Sequence, residues 1–213
     1  MAARSAPRPA RRGLERRNEI LEAATEVFLE RGFAGASTDA IVERSGGSKE
    51  TIYCHFGNKA GLFRAVIEKN ASRVFADLAA PRFDIAPATF LAGFGRDFVD
   101  LVLHPRSLRL HSMVIAESQR MPEVGDIFYR AAPEALIETL ADYFRRCDAL
   151  GLLRVPEPLR MARAFLDMLR GDLQLRTLLN ATRRPTDAEI DAHVAFVVAA
   201  VLRLCERPEK GRA

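Results

Sequence analysis

Tryptophan is absent from the 213 residues, and cysteine occurs only three times. Cys54, Cys147 and Cys205 lie far apart with no CxxC pair, and histidine does not cluster near them. This excludes a disulfide framework and a zinc site of ordinary spacing, and it fits a reducing cytoplasm. Long apolar runs are missing too. The longest, Val194 to Leu202, is far short of the roughly 20 residues that cross a bilayer. The first residues hold no apolar run, which excludes a secretory signal. They share Arg, Ala and Pro with organellar transit peptides, but no amphipathic pattern precedes Leu14. Catalytic signatures are also lacking: there is no GxSxG, no HExxH and no dinucleotide fingerprint. Gly46-Gly47-Ser48-Lys49 lacks the spacing of a phosphate loop, and no strand precedes it. No stretch alternates apolar and polar residues long enough to form a strand. No enzyme, metal or cofactor is implied.

What the chain does have is unevenly placed positive charge. Lys and Arg number 32 against 28 Asp and Glu, a net +4, which alone says little about partners. Arg4, Arg8, Arg11, Arg12, Arg16 and Arg17 crowd the start, opposed there only by Glu15. Residues 1–13 read as a disordered basic arm, either simply solvated or ordered on meeting phosphate, with Arg11 and Arg12 as contacts.

Residues 38–59 carry most of the information. They read as a short helix, a glycine turn, a second short helix, a break, and the start of a third helix. Two short helices about a glycine-containing turn place the second in a DNA major groove. Ser48, Lys49, Thr51, Tyr53 and His55 supply donors suited to phosphates and base edges. Ser48 and Asn58 are good N-caps. Ile41, Val42, Ile52 and Phe56 face inward. Cys54 falls inside the second helix as a reduced thiol, with a redox role conceivable.

The rest of the chain is helical by periodicity. Ile20, Ala24, Val27 and Phe28 repeat at helical spacing until Gly32. A long helix from Lys59 runs towards Pro81. Others are expected near 88–103, 106–119, 122–150 with a kink at Pro133, and 158–180. The last opens on the capping box Thr186–Glu189. Its apolar face is wide enough to demand burial, inside the fold or against another subunit. Since two-fold pairs read half-sites about 34–36 Å apart, a homodimer is expected, with Leu159, Leu166, Leu173, Val194, Val198 and Val201 at its interface.

Taken in order, Ile20–Ala24, Val27–Phe33, Ser37 through Phe56 and Lys59–Phe63 resemble the N-terminal domain of the tetracycline-repressor (TetR) family over about residues 14–64. Residues 121–204 resemble the AefR-like type of C-terminal domain, through Met121–Val124, Phe128, Tyr129, Pro133 and Leu169–Leu173. The resemblance implies a DNA-binding head controlled by a small molecule in a helical C-terminal cavity. It puts Thr38 on a phosphate and Ser48, Lys49, Glu50 and Thr51 at the base-reading end. Tyr53 and His55 match phosphate contacts, and Lys59 matches a lysine that pins the DNA backbone. Gly46-Gly47 departs from the usual glycine–hydrophobe pair, and Glu50 is acidic where a small residue is frequent.

The expected molecule is therefore an all-α protein of about nine helices: a basic arm (1–13), a helix-turn-helix head (14–60), a ligand-binding and dimerisation body (61–207) and a tail (208–213). Its partners would be double-stranded DNA with a palindromic operator, an unidentified effector and a second copy, with no membrane. Phe94, Phe98, His111, Met113, Phe128, Phe165, Met168 and Asp172 are candidate pocket residues, although aromatic and Met stripes at this spacing also serve as plain core. A ligand-independent or architectural DNA binder is the alternative, recognised by a body packed without a cavity.

Overall fold

The computed structural model describes residues 8–79, 83–180 and 183–206, with side chains from residue 13 to 72 and from 83 onward within that set. Every regular element among them is helical, as the periodicity requires. The helices are α1 Arg8–Gly35, α2 Thr38–Ser45, α3 Lys49–Phe56, α4 Lys59–Ala79, α5 Pro87–Leu103, α6 Pro105–Ser118, α7 Pro122–Tyr129, α8 Ala135–Ala149, α9 Pro158–Arg170, α10 Leu173–Leu178 and α11 Asp187–Leu204. Contacts divide the chain into two compact units. The first takes the chain up to Lys69 and Arg109–Ala131; the second takes Asn70–Leu108 and the chain from Ala132 on.

In the first unit α1 begins at Arg8, so residues 8–13 are helical turns where an arm was expected. Ala and Arg are good helix formers, and Pro9 falls in the first turn, where its missing N–H loses no bond. Residues 1–7, the 208–213 tail, and the side chains of Arg11 and Arg12 lie outside the described set. α1 breaks at Gly32, which has φ 69°. Ile20, Leu21, Ala24, Val27 and Phe28 bury its inner stripe. Phe28, Phe33 and Phe63 then close a ring cluster with centroids 5.2–5.9 Å apart. Each such side chain contributes about 1.5–3 kcal/mol by burial. Arg44 of α2 grips Glu30 of α1 through two bonds of 2.7 and 2.9 Å. Ile41 and Ile52 are fully buried, whereas Val42 and Phe56, expected inside, are only half-buried. Phe56 is the last residue of α3 and stacks beneath the Arg17 guanidinium, 5.4 Å from its ring centroid.

The second unit is built on α5, α8, α9 and α11, with one continuous core. Phe90 stacks on Tyr143 at 4.3 Å, and Phe94 on Phe98 and Phe165 at 6.4 and 6.2 Å. Arg96 on α5 binds Asp100, Asp187 and Asp191 at 3.1, 2.6 and 2.6 Å, fixing the first turns of α11. Those carboxylates hold the guanidinium charged, pushing its pKa up. The capping box forms as read, and Glu189, bonded to Arg183 and Thr186, titrates near 2. Pro133 is absorbed by a π-helical stretch, Arg130–Glu134, between α7 and α8. The helix expected over 158–180 is two helices, because Gly171 turns to φ 46° and ends α9.

The expected interface residues need correction. Leu166, Leu173, Val194, Val198 and Val201 are at most 6% exposed within their own subunit. They close the core of the second unit and present nothing to a partner. Only Leu159, 37% exposed, faces outward. The free face of α11 carries Ala192, Ala195, Phe196 and Ala199, with Phe196 71% exposed.

Candidate nucleic-acid interface

α3 hangs on one anchor. Ile52 is 1% exposed and locks the helix into the first unit, while Lys49, Glu50, Tyr53, Cys54 and His55 all face solvent. Tyr53, which the sequence left between core and surface, is 46% exposed. Ser48 caps the helix by accepting from the Thr51 amide at 3.3 Å, and the two hydroxyls sit 3.2 Å apart. This pair therefore shapes the N-terminus and leaves spare lone pairs and a rotatable proton outward. Thr38 opens α2, and Ser37 ahead of it accepts from the Ala40 amide at 3.2 Å. The first turns of α2 and α3 thus hold amides suited to phosphate oxygens.

Lys49 is not a free cation. Its ammonium sits 2.7 Å from the Asp39 carboxylate across the helix pair, and that bond pushes its pKa up. An exposed pair of this kind is weak, about 0–1 kcal/mol, so a phosphate or base edge can displace it.

Lys59 departs furthest from expectation. Its ammonium donates to the carbonyls of Phe33, Ala34 and Ala36 at 3.0, 3.4 and 3.1 Å. It also lies 4.7 Å above the Phe33 ring. The end of α1 leaves carbonyls without intrahelical partners, and a cation there satisfies them. All three of these bonds run to backbone at the end of α1 and just past it. Asn58 caps α4 as read, accepting from the Gly61 amide at 2.8 Å.

Three residues of the head were missed by the sequence reading: Ser37 as a cap, Asp39 as the partner of Lys49, and Arg16. Arg16 is one of the arginines crowded at the start of the chain, yet it donates to the Ser45 carbonyl at 2.7 Å and to that of Gly46. The only available signal was the doubled glycine Gly46-Gly47 in the turn.

The candidate pocket residues do not gather in one unit. Phe94, Phe98 and Phe165 pack on one another in the second unit, with Met168 against them. Asp172 is exposed there and faces Arg176 at 3.2 Å. His111, Met113 and Phe128 belong to the first unit, where the His111 and Phe128 rings stack at 5.8 Å. Two clefts in the second unit, of 410 and 220 Å³, are lined by other residues, Arg145 to Arg163 in one and Asp100 to Ile190 in the other. No helix among the described residues is long and apolar enough to cross a membrane.

A short helix capped by serine, anchored by one isoleucine and displaying polar tips beyond a glycine turn makes this a helix-turn-helix protein. Comparison carries that class to a family. The family of bacterial regulatory proteins called tetR matches residues 20–66, and the C-terminal domain of AefR-like transcriptional repressors matches residues 89–205, more than half of the chain. The chain belongs to the TetR family of transcriptional regulators, with an AefR-like C-terminal domain. The transcriptional activator FasR of Mycolicibacterium smegmatis is 42% identical over 60 residues, 28% of this chain and 27% of that protein. The repressor AcnR of Corynebacterium glutamicum is 41% identical over 58 residues, 27% of this chain and 31% of that protein. The chain thus matches about a third or less of these curated relatives. Over nearly the whole chain, the flavonoid-responsive regulator FrrA is similar in structure: TM-score 0.74, 29% identity, 93% of this chain and 99% of that one. The family and these relatives are regulators of transcription, not enzymes.

Proposed function

We propose that this regulator binds a palindromic operator as a homodimer, acts as a repressor in the cytoplasm, and is released by a small-molecule effector. The observation that carries the DNA reading is α3, where one buried residue, Ile52, sets Lys49, Glu50, Tyr53 and His55 outward together. Thr38 and the amides of two helix N-termini would bind phosphate, and Lys49 and Glu50 would read base edges. Glu50, acidic in this place, suits a cytosine amino group.

The two-fold rests on α11. Ala192, Ala195, Phe196 and Ala199 recur at helical spacing on its exposed side, so a second copy would bury Phe196 against small side chains. Effector control is supported by the likeness to FrrA, which is named for its response to flavonoids. An effector that binds better to a dimer with widely spaced heads moves them off the one-turn half-site spacing and frees the DNA. The close packing of Phe94, Phe98 and Phe165 favours a second reading, a DNA binder indifferent to ligands.

Selection of bound sequences from a random DNA pool tests the function. A palindrome with half-sites one helical turn apart is the expected product. A metabolite or flavonoid panel that leaves operator affinity unchanged throughout would favour the second reading. A reporter with the operator over its promoter fixes the sign, repression or activation.

A further inference from the structure

Arg16 lies on α1 among the arginines that composition assigns to phosphate, but its side chain is only 28% exposed. One guanidinium nitrogen bonds the Ser45 carbonyl at 2.7 Å and Glu19 at 2.9 Å; the other bonds the Gly46 carbonyl. Ser45 and Gly46 are the last residue and the cap of α2, where carbonyls lack helical partners. A planar fork with two parallel donors fits two adjacent carbonyls, and its charge complements the helix end. Gly46 and Gly47 both turn to positive φ, 73° and 90°. At Gly47 there is a second requirement: a Cβ would stand 2.5 Å from Nη2 of Arg16. Positive φ calls for glycine at both positions, and at Gly47 the arginine that reaches over it adds a close approach.

We propose that Arg16 is a positioning residue for the recognition helix: it clamps the α2–α3 turn from α1, and Gly47 is the residue that admits it. The clamp bridges the two carbonyls that open the α2–α3 turn, two residues ahead of α3, so it sets the angle at which Lys49, Glu50 and Tyr53 leave the surface. Arg16 therefore supports base discrimination without touching DNA. The inference rests on α3 being the DNA-reading element.

The test uses the full chain, the duplex selected from the random pool by the unsubstituted protein, and a scrambled duplex of equal length. Affinity for both is measured across a salt series for Arg16→Gln, Arg16→Lys, Gly47→Ala and Arg16→Gln/Gly47→Ala, each checked for a cooperative melt. The clamp predicts that Arg16→Gln and Arg16→Lys both cut the ratio of selected to scrambled affinity by about tenfold, the size of one lost base-pair readout. The salt slope stays unchanged, because no phosphate contact is removed. Arg16→Lys matters most, since a lysine keeps the charge but lacks the planar fork whose two parallel donors span the Ser45 and Gly46 carbonyls. Gly47→Ala lowers the ratio as well, and by less in the Arg16→Gln background, where no guanidinium remains to displace.

A phosphate-contacting Arg16 gives the opposite pattern and overturns the proposal: Arg16→Lys near the unsubstituted protein, and Arg16→Gln weak on both duplexes with the slope reduced by about 1.8 per dimer. An equal effect of Gly47→Ala in both backgrounds also overturns it. If the unsubstituted protein selects no preferred sequence, the DNA reading itself fails, and that failure is visible before any variant is compared.

Discussion

Replacing Lys59 by methionine separates an internal role from a DNA contact, because the two predict effects on different measurements. Methionine keeps most of the apolar stem and removes the ammonium. The ammonium serves three carbonyls at 3.0–3.4 Å. A hydrogen bond to a charged group contributes about 1.5–3 kcal/mol, and the cation over Phe33 adds about 0.5–1 kcal/mol. Three bonds from one half-exposed ammonium share its solvation and do not add in full. The expected loss is about 2–4 kcal/mol, a large part of the ~5–15 kcal/mol that holds a domain folded. For a chain of this length that lowers Tm by roughly 5–15 °C. Differential scanning calorimetry at equal protein concentration measures it. Operator affinity, taken well below the melt, should keep its salt slope. A melt within about 2 °C of the unsubstituted protein, with the slope reduced by about 1.8 per dimer, would refute the internal role and restore Lys59 to the DNA backbone.

Cys54 is the one exposed thiol among three, while burial pushes Cys147 up and Cys205 up to about 11; a thiol reagent should therefore modify one site per native chain, by intact mass, and bound operator should slow it about tenfold or more. Labelling indifferent to DNA would count against α3 in the groove. Phe196→Arg should turn a dimer into monomers in sedimentation and weaken operator binding, with the melt of the separated subunit cooperative; a dimer unchanged would place the two-fold elsewhere. Arg183, then Thr186, hold Glu189 near 2, below its ordinary 4.5. A depressed carboxylate stabilises above its unfolded value and loses that contribution as pH falls, so amide protection at the start of α11, taken relative to the intrinsic exchange rate at each pH, should fall between about pH 4.5 and 2, and Glu189→Gln should remove that dependence. Arg11→Gln/Arg12→Gln should flatten the salt slope by about 3.6, from four phosphate contacts per dimer at 0.9 each; an unchanged slope would remove both from the interface.

The local signals were legible because each is a short-range matter of backbone chemistry. Ser48, Asn58 and Thr186–Glu189 cap helices in the sequence and in the structure alike. Ile52 and Phe28 follow from periodicity. Where the reading failed, the deciding contact came from another element. Gly171 breaks the stretch over 158–180 because its φ turns positive, which a lone glycine in an apolar helix pattern does not announce. Val194, Val198 and Val201 make an apolar stripe that periodicity identifies as buried but cannot assign to a neighbour. Their partners proved to be in the core of their own subunit. Ala192, Ala195 and Ala199 lie on the exposed side instead, beside Phe196.

Charged tips were the hardest to read, and for one physical reason. A lysine or arginine tip sits several rotatable bonds from its Cα, far enough to choose between an internal acceptor and a phosphate. Composition records the charge and not the choice. Lys59 chose three carbonyls, Arg16 two, and Lys49 a carboxylate that yields easily. Six phosphate contacts per dimer at about −0.9 each would give a salt slope of roughly −5. Two Lys49 side chains, one per subunit, account for a slope of about −2. If Arg11 and Arg12 contact phosphate, four such contacts per dimer supply the remainder. On that reading affinity and discrimination reside in different parts of the head: counterion release in the first turns of α1, and base reading in α3, whose aim depends on the Arg16 clamp.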